Sequence, residues 1–311
     1  MNDKQEMRCD LCQGNAFEEI SNKDRHGKEL HTAVCLGCGL VSHMPVPSEA
    51  EVAEYYATKY RRDYHNETTP SPRRIMRAWK NGERIHAQLA SHLKPGACVF
   101  EVGAGIGCTV KVFDENGFEA AGIEPNRDFN RFTQQKLKAG VANKNLFEMS
   151  HTQSRDLVLL IHVIEHFTSP TKALKHIHAM LNDDGLLYVE CPNLAAPFST
   201  FGRLFHYAHI YNFTPKALTA LAAKCGFTTV QQLTDEDDAN IQILFRRSEK
   251  AKFIPDPTHA SKVKQAIHRY NWLTYNFRVV YLSSRIKKIY SYVKELISAR
   301  SFVKKLLQKF I

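Results

Sequence analysis

The stretch "FEVGAGIG", Phe100 to Gly107, places three glycines between a short apolar run and a segment of helical character. Glycines such as Gly103 and Gly105 directly after a strand permit a tight turn and let the backbone approach a ligand closely. The next apolar segment ends in "GIEPN", where Glu124 offers a carboxylate that can accept hydrogen bonds from ribose hydroxyls. The pattern therefore predicts a nucleotide-type cofactor at the end of a first strand. Ordinary turn glycines and a surface glutamate are the alternative.

Outward from this loop, strand-like segments alternate with helical ones. Strands are predicted at "CVFEVG", "FEAAGIEPN", "VANKNLFEM", "DLVLLIHV", "LLYVECPN", "FTTVQQL" and "ANIQILFRR". Helices are predicted at "TVKVFDENG", "RDFNRFTQQKLKAG", "SPTKALKHIHAMLNDDG" and "TPKALTALAAKCG", the last with Thr214 as its N-cap and Pro215 at its first position. This alternation indicates an α/β fold with a mostly parallel sheet covered on both faces.

Several of these stretches resemble class I S-adenosylmethionine-dependent methyltransferases. The resemblance rests on E-x-G-x-G-x-G, the acid in "GIEPN", "DLVLLIHVIEH" and "LNDDGLLYVECPN", over roughly residues 75–245. It implies a Rossmann-like seven-stranded sheet and S-adenosyl-L-methionine as cofactor. The cofactor contacts that it implies come from the glycine loop, the ribose carboxylate and the ends of the third and fourth strands: Glu101, Gly103, Gly105, Gly107, Glu124, Glu148, Met149 and His162. No "NPPY"-type motif follows the fourth strand, which favours methylation of oxygen or carbon over amino nitrogen.

The fourth strand continues into "HVIEHF", which brings His162, Glu165 and His166 together within five residues. In the resembling family this end of the strand faces the methyl group. A histidine with a pKa near 6.5 suits the removal of a proton from an acceptor hydroxyl at neutral pH. His209, in "HYAHIYNFTP", is a further candidate for this base, and His206 is a lesser one.

The same triplet resembles the "ExxEH" metal site of ubiquinone-pathway O-methyltransferases and small-RNA 2′-O-methyltransferases, where a divalent metal polarises the acceptor oxygen. His162 stands where those families carry a first Glu, and imidazole in place of carboxylate disfavours magnesium. In the RNA enzymes a His placed like His209 completes the site. Three roles stay open for the triplet: a general base, a metal site, and a structural role in which Glu165 orients His166 or caps the next helix.

Four of the eight cysteines form two CxxC pairs that are separated by 22 residues, and each pair is closely followed by a glycine. Two such knuckles are the usual build of a tetrahedral structural zinc site, here with Cys9, Cys12, Cys35 and Cys38 as ligands. Four thiolates leave no open position, so the expected role of Zn²⁺ is in folding. Buried free thiols or redox chemistry are the alternatives.

A cysteine-rich head before a methyltransferase core, together with "HIYNFTPKALTALAAKCGF", resembles enzymes of sugar and polysaccharide biosynthesis, deoxysugar C-methyltransferases included. Those C-methyltransferases carry a long second α/β domain after the core, whereas about 60 residues follow it here. The expected function is therefore O-methylation of a sugar hydroxyl in surface polysaccharide (lipopolysaccharide or capsule) or in a nucleotide-linked or lipid-linked glycan precursor. RNA 2′-O-methylation, sugar C-methylation and a non-catalytic cofactor-binding scaffold are the rivals.

Positive charge is concentrated towards the C-terminus. Residues 250–311 carry 14 Lys or Arg against two acidic residues, whereas residues 1–249 have a net charge of −2. Within residues 286–311, apolar and basic side chains recur at helical spacing, which is the pattern of an amphipathic helix on an anionic membrane surface. Packing on the protein's own core, a homo-oligomer contact and nucleic-acid binding are the alternatives, the last disfavoured by the neutral body.

The expected organisation has four parts: a zinc-binding ribbon over residues 1–46, a helical connector or lid over 47–93, the methyltransferase domain over 94–249 and the basic helical tail over 250–311. The polar N-terminus and the lack of a run of about 18 apolar residues predict a cytoplasmic protein. The tail would add peripheral attachment to the inner face of the cell membrane.

Overall fold

The computed structural model describes residues 7–58, 69–150, 155–196, 199–249 and 252–310. The chain divides into two compact units. The first comprises Met1–Arg62, His162–His178 and Tyr188–Tyr275, and the second comprises Asp63–Ile161, Ala179–Leu187 and Asn276–Ile311. Each unit is thus assembled from segments that are distant in the sequence.

The regular elements follow the predicted alternation. The strands are β1 (Phe17–Lys23), β2 (Glu29–Cys35), β3 (Val41–His43), β4 (Cys98–Val102), β5 (Glu119–Ile123), β6 (Val141–Ala142), β7 (Arg155–Ile161), β8 (Leu181–Pro192), β9 (Tyr211–Asn212), β10 (Phe227–Gln232) and β11 (Asn240–Arg247). The α-helices are α1 (Glu49–Thr58), α2 (Pro72–Leu89), α3 (Cys108–Glu115), α4 (Arg127–Phe132), α5 (Pro170–Met180), α6 (Pro215–Lys224), α7 (Thr258–Ile267), α8 (Trp272–Asn276) and α9 (Val279–Gln308). Residues 59–68 of the predicted helical connector lie outside the described residues.

The predicted Rossmann-like α/β architecture is confirmed. The larger sheet has seven strands in the order β10-β11-β8-β7-β4-β5-β6. Strand β4 runs parallel to β5 and to β7, whereas β10 and β11 pair antiparallel, so the sheet is mixed. Val102 is in register with Leu160, which sets the carboxyl ends of β4 and β7 side by side. Because open α/β sheets bind ligands at the carboxyl ends of their strands, the loops that leave β4 and β7 are the candidates for chemistry.

The region after β6 differs from the predicted strand "VANKNLFEM". Pairing stops at Ala142, and Leu146–Glu148 form a 3-10 turn. The side chain of Asn145 accepts a backbone N–H of this turn while Glu148 accepts the N–H of Asn145, which makes a capping box. Asparagine side chains compete with a strand ladder in this way, so the polar residues after Ala142 end the strand early.

In the first unit a smaller sheet, in the order β1-β2-β3-β9, contains the cysteine-rich segment. Its last strand, β9, comes from the polypeptide just after His209. Apolar side chains from both parts of the chain and from helix α7 form one cluster: Val34, Val41, Leu194, Leu204, Phe205, Ala260, Val263 and Ile267. The first unit is therefore held together by packing between the N-terminal ribbon, the segment before β9 and α7.

In the second unit, helix α2 packs against α3 and α9. Gly82 of α2 approaches α3 so closely that an added Cβ would lie 3.0 Å from Thr109 Cα. Trp79 of α2 is in one apolar cluster with Val303, Leu306 and Phe310 of the C-terminal segment. The alternative in which the basic tail packs on the protein's own core therefore holds for this part of it.

Candidate active site

The glycine loop after β4 has a backbone that favours glycine at particular positions. Gly103 and Gly107 have φ angles of 71° and 73°, in the left-handed region where a Cβ is strained. A Cβ added to Gly107 would also overlap Thr133 Cγ2. The N–H of Gly105 donates to Glu124 Oε2 at 2.8 Å. The predicted cofactor loop and the predicted ribose carboxylate are therefore in direct contact.

Both carboxylate oxygens of Glu124 accept backbone N–H groups, and the residue is 8% exposed. Oε2 accepts from Gly105 and Oε1 accepts from Asn126 at 2.7 Å. Burial raises the pKa of Glu124 to about 7, although these two hydrogen bonds and the charge of Arg74 act in the opposite direction. Each oxygen retains a further lone pair, so this carboxylate can accept two more hydrogen bonds from a pair of vicinal hydroxyls.

The remaining predicted cofactor contacts of this unit differ in their surroundings. Glu101 is 4% exposed within β4, and burial raises the pKa of its carboxyl group to about 8. Glu148 is exposed and its carboxylate is engaged with the N–H of Asn145. Met149 is half-buried directly after it. An adenine contact from Glu148 and Met149 stays a prediction, and both residues belong to a 3-10 turn and its exit rather than to the end of a strand.

Two asparagines that were not predicted fix the turn around Glu124. Asn126 caps α4, since its side chain accepts the N–H groups of Asp128 and Phe129. Asn143 Nδ2 donates to the carbonyl oxygens of Glu124 and Pro125 at 2.8 and 2.9 Å. An asparagine before a helical segment is an N-cap signal, which could have identified Asn126. Asn143 contacts this turn only through tertiary structure.

His162, the first residue after β7, has a φ of 54°, which is unusual for a residue with a side chain. Its N–H donates to the carbonyl oxygen of Glu190 at 2.8 Å, and its Nε2 lies 3.8 Å from Glu190 Oε1. The Tyr188 hydroxyl donates to the same carboxylate at 2.8 Å. Glu190 was not predicted, although an acid inside the apolar strand "LLYVEC" is a recognisable signal. Strained backbone held in place by its surroundings is a frequent feature of functional sites.

The carboxylate of Glu165 is at the centre of the histidine cluster. Its side chain is 2% exposed, and neither oxygen accepts a hydrogen bond from the described residues. Three imidazole nitrogens surround Oε1: Nδ1 of His162 at 3.5 Å, Nε2 of His209 at 3.9 Å and Nε2 of His166 at 4.0 Å. An ionised carboxylate without hydrogen bonds is unfavourable to bury. Positive charge on an imidazole, or a bound cation, would stabilise it.

Hydrogen bonding and burial determine which imidazole nitrogens carry protons. His166 Nδ1 lies 2.6 Å from the carbonyl oxygen of Ala208, which can only accept, so Nδ1 is a nitrogen that carries a proton. Burial, followed by the neighbouring His166, lowers the pKa of His209 well below its usual value. His206 contacts His209 with ring centroids 3.8 Å apart, and burial lowers the pKa of His206 to about 3. His206 and His209 are therefore neutral at pH 7.

The cluster also has the spacing of a metal site. Glu165, His166 and His209 each place one ligand atom within 4.8 Å of the others. Two imidazoles and one carboxylate suit zinc or iron better than magnesium. A small pocket beside the cluster is lined by Glu165 and His209 together with Asn212 and Phe213. The donor set and the pocket thus fit either a proton acceptor or a divalent transition-metal ion.

The four cysteines of the two CxxC pairs form a second cluster. Cys9 Sγ lies 3.6 Å from Cys38 Sγ, Cys12 Sγ lies 3.4 Å from Cys35 Sγ, and all four sulfur atoms lie within 4.8 Å of one another. A tetrahedral site with Zn–S bonds of about 2.3 Å has edges of about 3.8 Å. The four predicted ligands are therefore already at the spacing that zinc requires.

Asp10, which lies inside the first CxxC pair, connects this cluster to helix α5. Its carboxylate accepts from Ser169 Oγ and from the N–H of Thr171, each at 2.7 Å. Its carbonyl oxygen accepts from Lys224 Nζ at 2.5 Å. An acid at a helix N-terminus satisfies N–H groups that the helix itself leaves unpaired. Asp10 was not predicted, because no local pattern relates it to Thr171, which is 161 positions away.

Comparison with known proteins identifies the family. The profile of the family described as "Methyltransferase domain" matches residues 73–232, about half of the chain. The chain belongs to this methyltransferase family. No curated protein matches the methyltransferase at a significant level.

Solved structures of other methyltransferases are similar to this one. The 1,6-didemethyltoxoflavin-N1-methyltransferase of Burkholderia thailandensis, bound to 1,6-didemethyltoxoflavin and S-adenosylhomocysteine, has 19% identity and a TM-score of 0.51 over 75% of this chain and 100% of that one. The magnesium protoporphyrin IX methyltransferase of Synechocystis PCC 6803 has 16% identity and a TM-score of 0.48, over 65% and 100%. The CcbJ methyltransferase of Streptomyces caelestis has 16% identity and a TM-score of 0.47, over 63% and 96%. The similarity to the Burkholderia thailandensis enzyme shows that the two proteins share a fold.

Proposed function

We propose that this protein is an S-adenosylmethionine-dependent O-methyltransferase whose acceptor is a sugar hydroxyl of a surface polysaccharide or of its nucleotide-linked or lipid-linked precursor. The observation that carries the proposal is the buried carboxylate of Glu165, which faces three imidazoles directly after β7. Oxygen methylation requires an acceptor for the hydroxyl proton, and this cluster has the chemistry to provide one.

Support for the cofactor comes from the second unit. The loop Gly103–Gly107 has the backbone conformation that lets main-chain atoms approach a ligand, and Glu124 has lone pairs for two ribose hydroxyls. The Burkholderia thailandensis enzyme binds S-adenosylhomocysteine on the same fold. When bound, S-adenosylmethionine would supply an electrophilic methyl group on its sulfonium sulfur. The protein's own contribution would be to hold the ribose and to orient the acceptor.

His166 is the better candidate for the general base. Its Nδ1–H donates to the carbonyl oxygen of Ala208, which leaves Nε2, 4.0 Å from Glu165 Oε1, as the nitrogen that can accept a proton. As the acceptor hydroxyl is methylated, its proton would move to Nε2 of His166. The carboxylate of Glu165 would then stabilise the imidazolium, because charges about 4 Å apart attract strongly inside a protein. His209, held neutral by burial, would complete the surroundings of the carboxylate.

A metal-assisted form of the same reaction is favoured by one specific observation. The ligand atoms of Glu165, His166 and His209 are close enough to share one ion. A divalent metal held by these residues would lower the pKa of a coordinated hydroxyl and reduce the need for a base. Addition of a chelator separates the two forms, provided that the cysteine-bound metal is measured in the same sample.

Zinc at the four cysteines is a separate part of the proposal. The sulfur spacing fits a closed tetrahedral site, and four thiolates leave no position for substrate. The role of this ion would be to stabilise the N-terminal ribbon.

Two lines of support favour a glycan over RNA as acceptor. The cysteine-rich head and "HIYNFTPKALTALAAKCGF" resemble enzymes of sugar and polysaccharide biosynthesis. RNA enzymes are expected to carry positive charge around the acceptor site, whereas residues 1–249 have a net charge of −2. Carbon methylation would place the new methyl group on a ring carbon, so product analysis distinguishes it from an ether.

The test uses S-adenosylmethionine with an isotopically labelled methyl group. A strain that lacks the gene supplies two acceptor fractions, total glycan and total RNA. We expect label in glycan, released on hydrolysis as a sugar methyl ether, and no label in RNA. His166→Ala should lower the rate by about 10²–10⁴-fold while cofactor affinity, measured by calorimetry, is unchanged. The exposed His92→Ala variant is the matched control and should keep the wild-type rate.

Label in RNA, or on a sugar carbon, would contradict the proposed acceptor. Full activity of the His166→Ala and His209→Ala variants would show that the cluster is structural. Loss of activity on chelation without loss of the cysteine-bound zinc would select the metal-assisted form.

A further inference from the structure

Helix α9 presents two different apolar faces. Towards its C-terminal end, Ala299, Val303 and Leu306 are buried, as is Phe310 just beyond it, and the last three belong to the apolar cluster that includes Trp79 of α2. The earlier part of the helix is held differently, because Glu295 accepts hydrogen bonds from Arg73 Nε and Arg77 Nε at 2.9 and 2.7 Å. One side of α9 is therefore already occupied by the protein itself.

The other face carries large apolar side chains that remain exposed. They are Leu282 (44%), Ile286 (69%), Ile289 (61%), Tyr290 (72%), Val293 (49%), Leu296 (55%) and Ile297 (78%), named below as the exposed strip. At 100° per residue these positions span an arc of about 120°, centred about 110° away from the buried face. Scattered apolar residues are normal on a protein surface, but a continuous strip along four turns indicates a contact surface.

The charges around the exposed strip have one sign. Lys294 is exposed about 40° beyond one edge of the strip at 100° per residue, and Arg300 and Lys304 are exposed on the strip's own line beyond its last turn. The single acid of α9 is Glu295, whose carboxylate is bound to the arginines of α2. The surroundings of the strip are therefore positively charged.

We propose that the exposed strip of α9 lies in the interface of an anionic lipid bilayer, with its apolar side chains in the acyl region and its lysines at the headgroups. Apolar burial and attraction to anionic lipid act together in such helices. No helix among the described residues is long and apolar enough to cross a membrane, so the helix would lie in the plane of the surface. A second copy of the chain fits less well, because pairing two strips would bring their lysines together. Nucleic acid would use the lysines but would leave the strip exposed.

The experiment is co-sedimentation of the full-length protein with vesicles of equal parts phosphatidylglycerol and phosphatidylcholine, and with vesicles of phosphatidylcholine alone. Wild type should partition at least tenfold more strongly to the anionic vesicles. Raising NaCl from about 0.1 to 0.5 M should weaken this binding without abolishing it, since the apolar part is not screened. Ile289→Glu/Ile297→Glu should reduce binding by tenfold or more, and Arg300→Gln/Lys304→Gln should reduce it by a similar factor.

Thr228→Glu/Gln231→Glu is the matched control, because it adds the same two charges to exposed positions of another element, β10. It should bind within about threefold of wild type. Both isoleucines are exposed, so the melting temperatures should equal that of wild type. Equal sedimentation of wild type and Ile289→Glu/Ile297→Glu would overturn the proposal, as would equal loss in the control or complete loss at high salt. A dimer that depends on Ile289 and Ile297, without vesicle binding, would assign the strip to a second copy instead.

Discussion

Ser42 of the cysteine-rich segment pairs with Tyr211, two residues beyond His209. The adjacent residue reinforces this connection. The N–H of His43 donates to the carbonyl oxygen of Ile210 at 2.9 Å, and its Nε2 lies 3.1 Å from the carbonyl oxygen of Tyr207. The N-terminal ribbon therefore holds the backbone on both sides of His209. A change at the cysteines is expected to be transmitted to the histidine cluster.

Replacement of one zinc ligand tests this connection. Cys35→Ser should lower the zinc content from about one ion per chain and lower the melting temperature by roughly 10 °C or more, because structural zinc contributes folding free energy directly. Methyl transfer should also fall at temperatures where the variant is still folded. Metal analysis, thermal melting and the labelled-methyl assay measure the three effects. Cys98→Ser, outside the cluster, should leave metal content unchanged, and wild type purified without chelators yet free of zinc would contradict the assignment.

Glu124 is expected to determine cofactor affinity. Glu124→Ala should weaken S-adenosylmethionine binding tenfold or more, since charged hydrogen bonds to two hydroxyls are worth roughly 1.5–3 kcal/mol. The matched control is Glu119→Ala, at the opposite end of the same strand and exposed. Calorimetry on both variants measures the difference. Equal affinity in wild type and Glu124→Ala would remove this carboxylate from the cofactor site.

Features with a local physical cause were predictable from the sequence. Gly103 and Gly107 adopt left-handed backbone conformations, which favour glycine. A short stretch of sequence with glycine at these positions is therefore enough to predict the loop. The cysteine pairs are likewise local, since each knuckle brings two sulfur atoms together within four residues. The order of strands and helices followed from the same short-range periodicity.

Features that arise from tertiary contacts were not predictable in the same way. The pairing of β3 with β9 joins segments far apart in the sequence, and the local sequence of neither strand predicts which strand it pairs with. The contact of Glu190 with His162 depends on sheet topology. The basic tail is the clearest example of a feature that local sequence cannot predict. Its periodic apolar residues indicate a helix with apolar faces, but they do not indicate which face packs on the protein. The structure buries Leu306 and exposes Ile297.

The glycine loop allows backbone strain to be separated from steric overlap. At Gly105 the φ is 54° but no atom lies within 4 Å of an added Cβ, whereas at Gly107 an added Cβ overlaps Thr133. Gly105→Ala should therefore destabilise the protein by about 1 kcal/mol from the backbone alone. Gly107→Ala should cost about 2–4 kcal/mol, with part of this recovered by Thr133→Ser in the double variant. Chemical denaturation measures the three variants, and equal destabilisation by the two single alanine substitutions would contradict the steric contribution.

Glu101 should make the stability of the cofactor-free protein depend on pH. Burial raises its pKa to about 8 from an ordinary value of 4.5, with a smaller upward contribution from Glu124 and an opposing hydrogen bond from Thr109. Because the folded state holds this proton more tightly than the unfolded state, the fold is most stable, as far as Glu101 is concerned, below pH 4.5. That contribution is lost progressively as the pH rises to about 8.

Glu101→Gln keeps the shape of the side chain and removes the titration. The free energy of unfolding of the variant should equal that of wild type near pH 5. At pH 8 it should be larger by on the order of 3 kcal/mol, because the variant buries no charge. Urea denaturation of both proteins across this pH range measures the difference. Glu119→Gln, which replaces an exposed carboxylate on the neighbouring strand, is the control and should follow the wild-type curve. Parallel curves for wild type and Glu101→Gln would show that the Glu101 carboxyl group keeps an ordinary pKa in the fold, and that the site tolerates its charge without a bound cofactor.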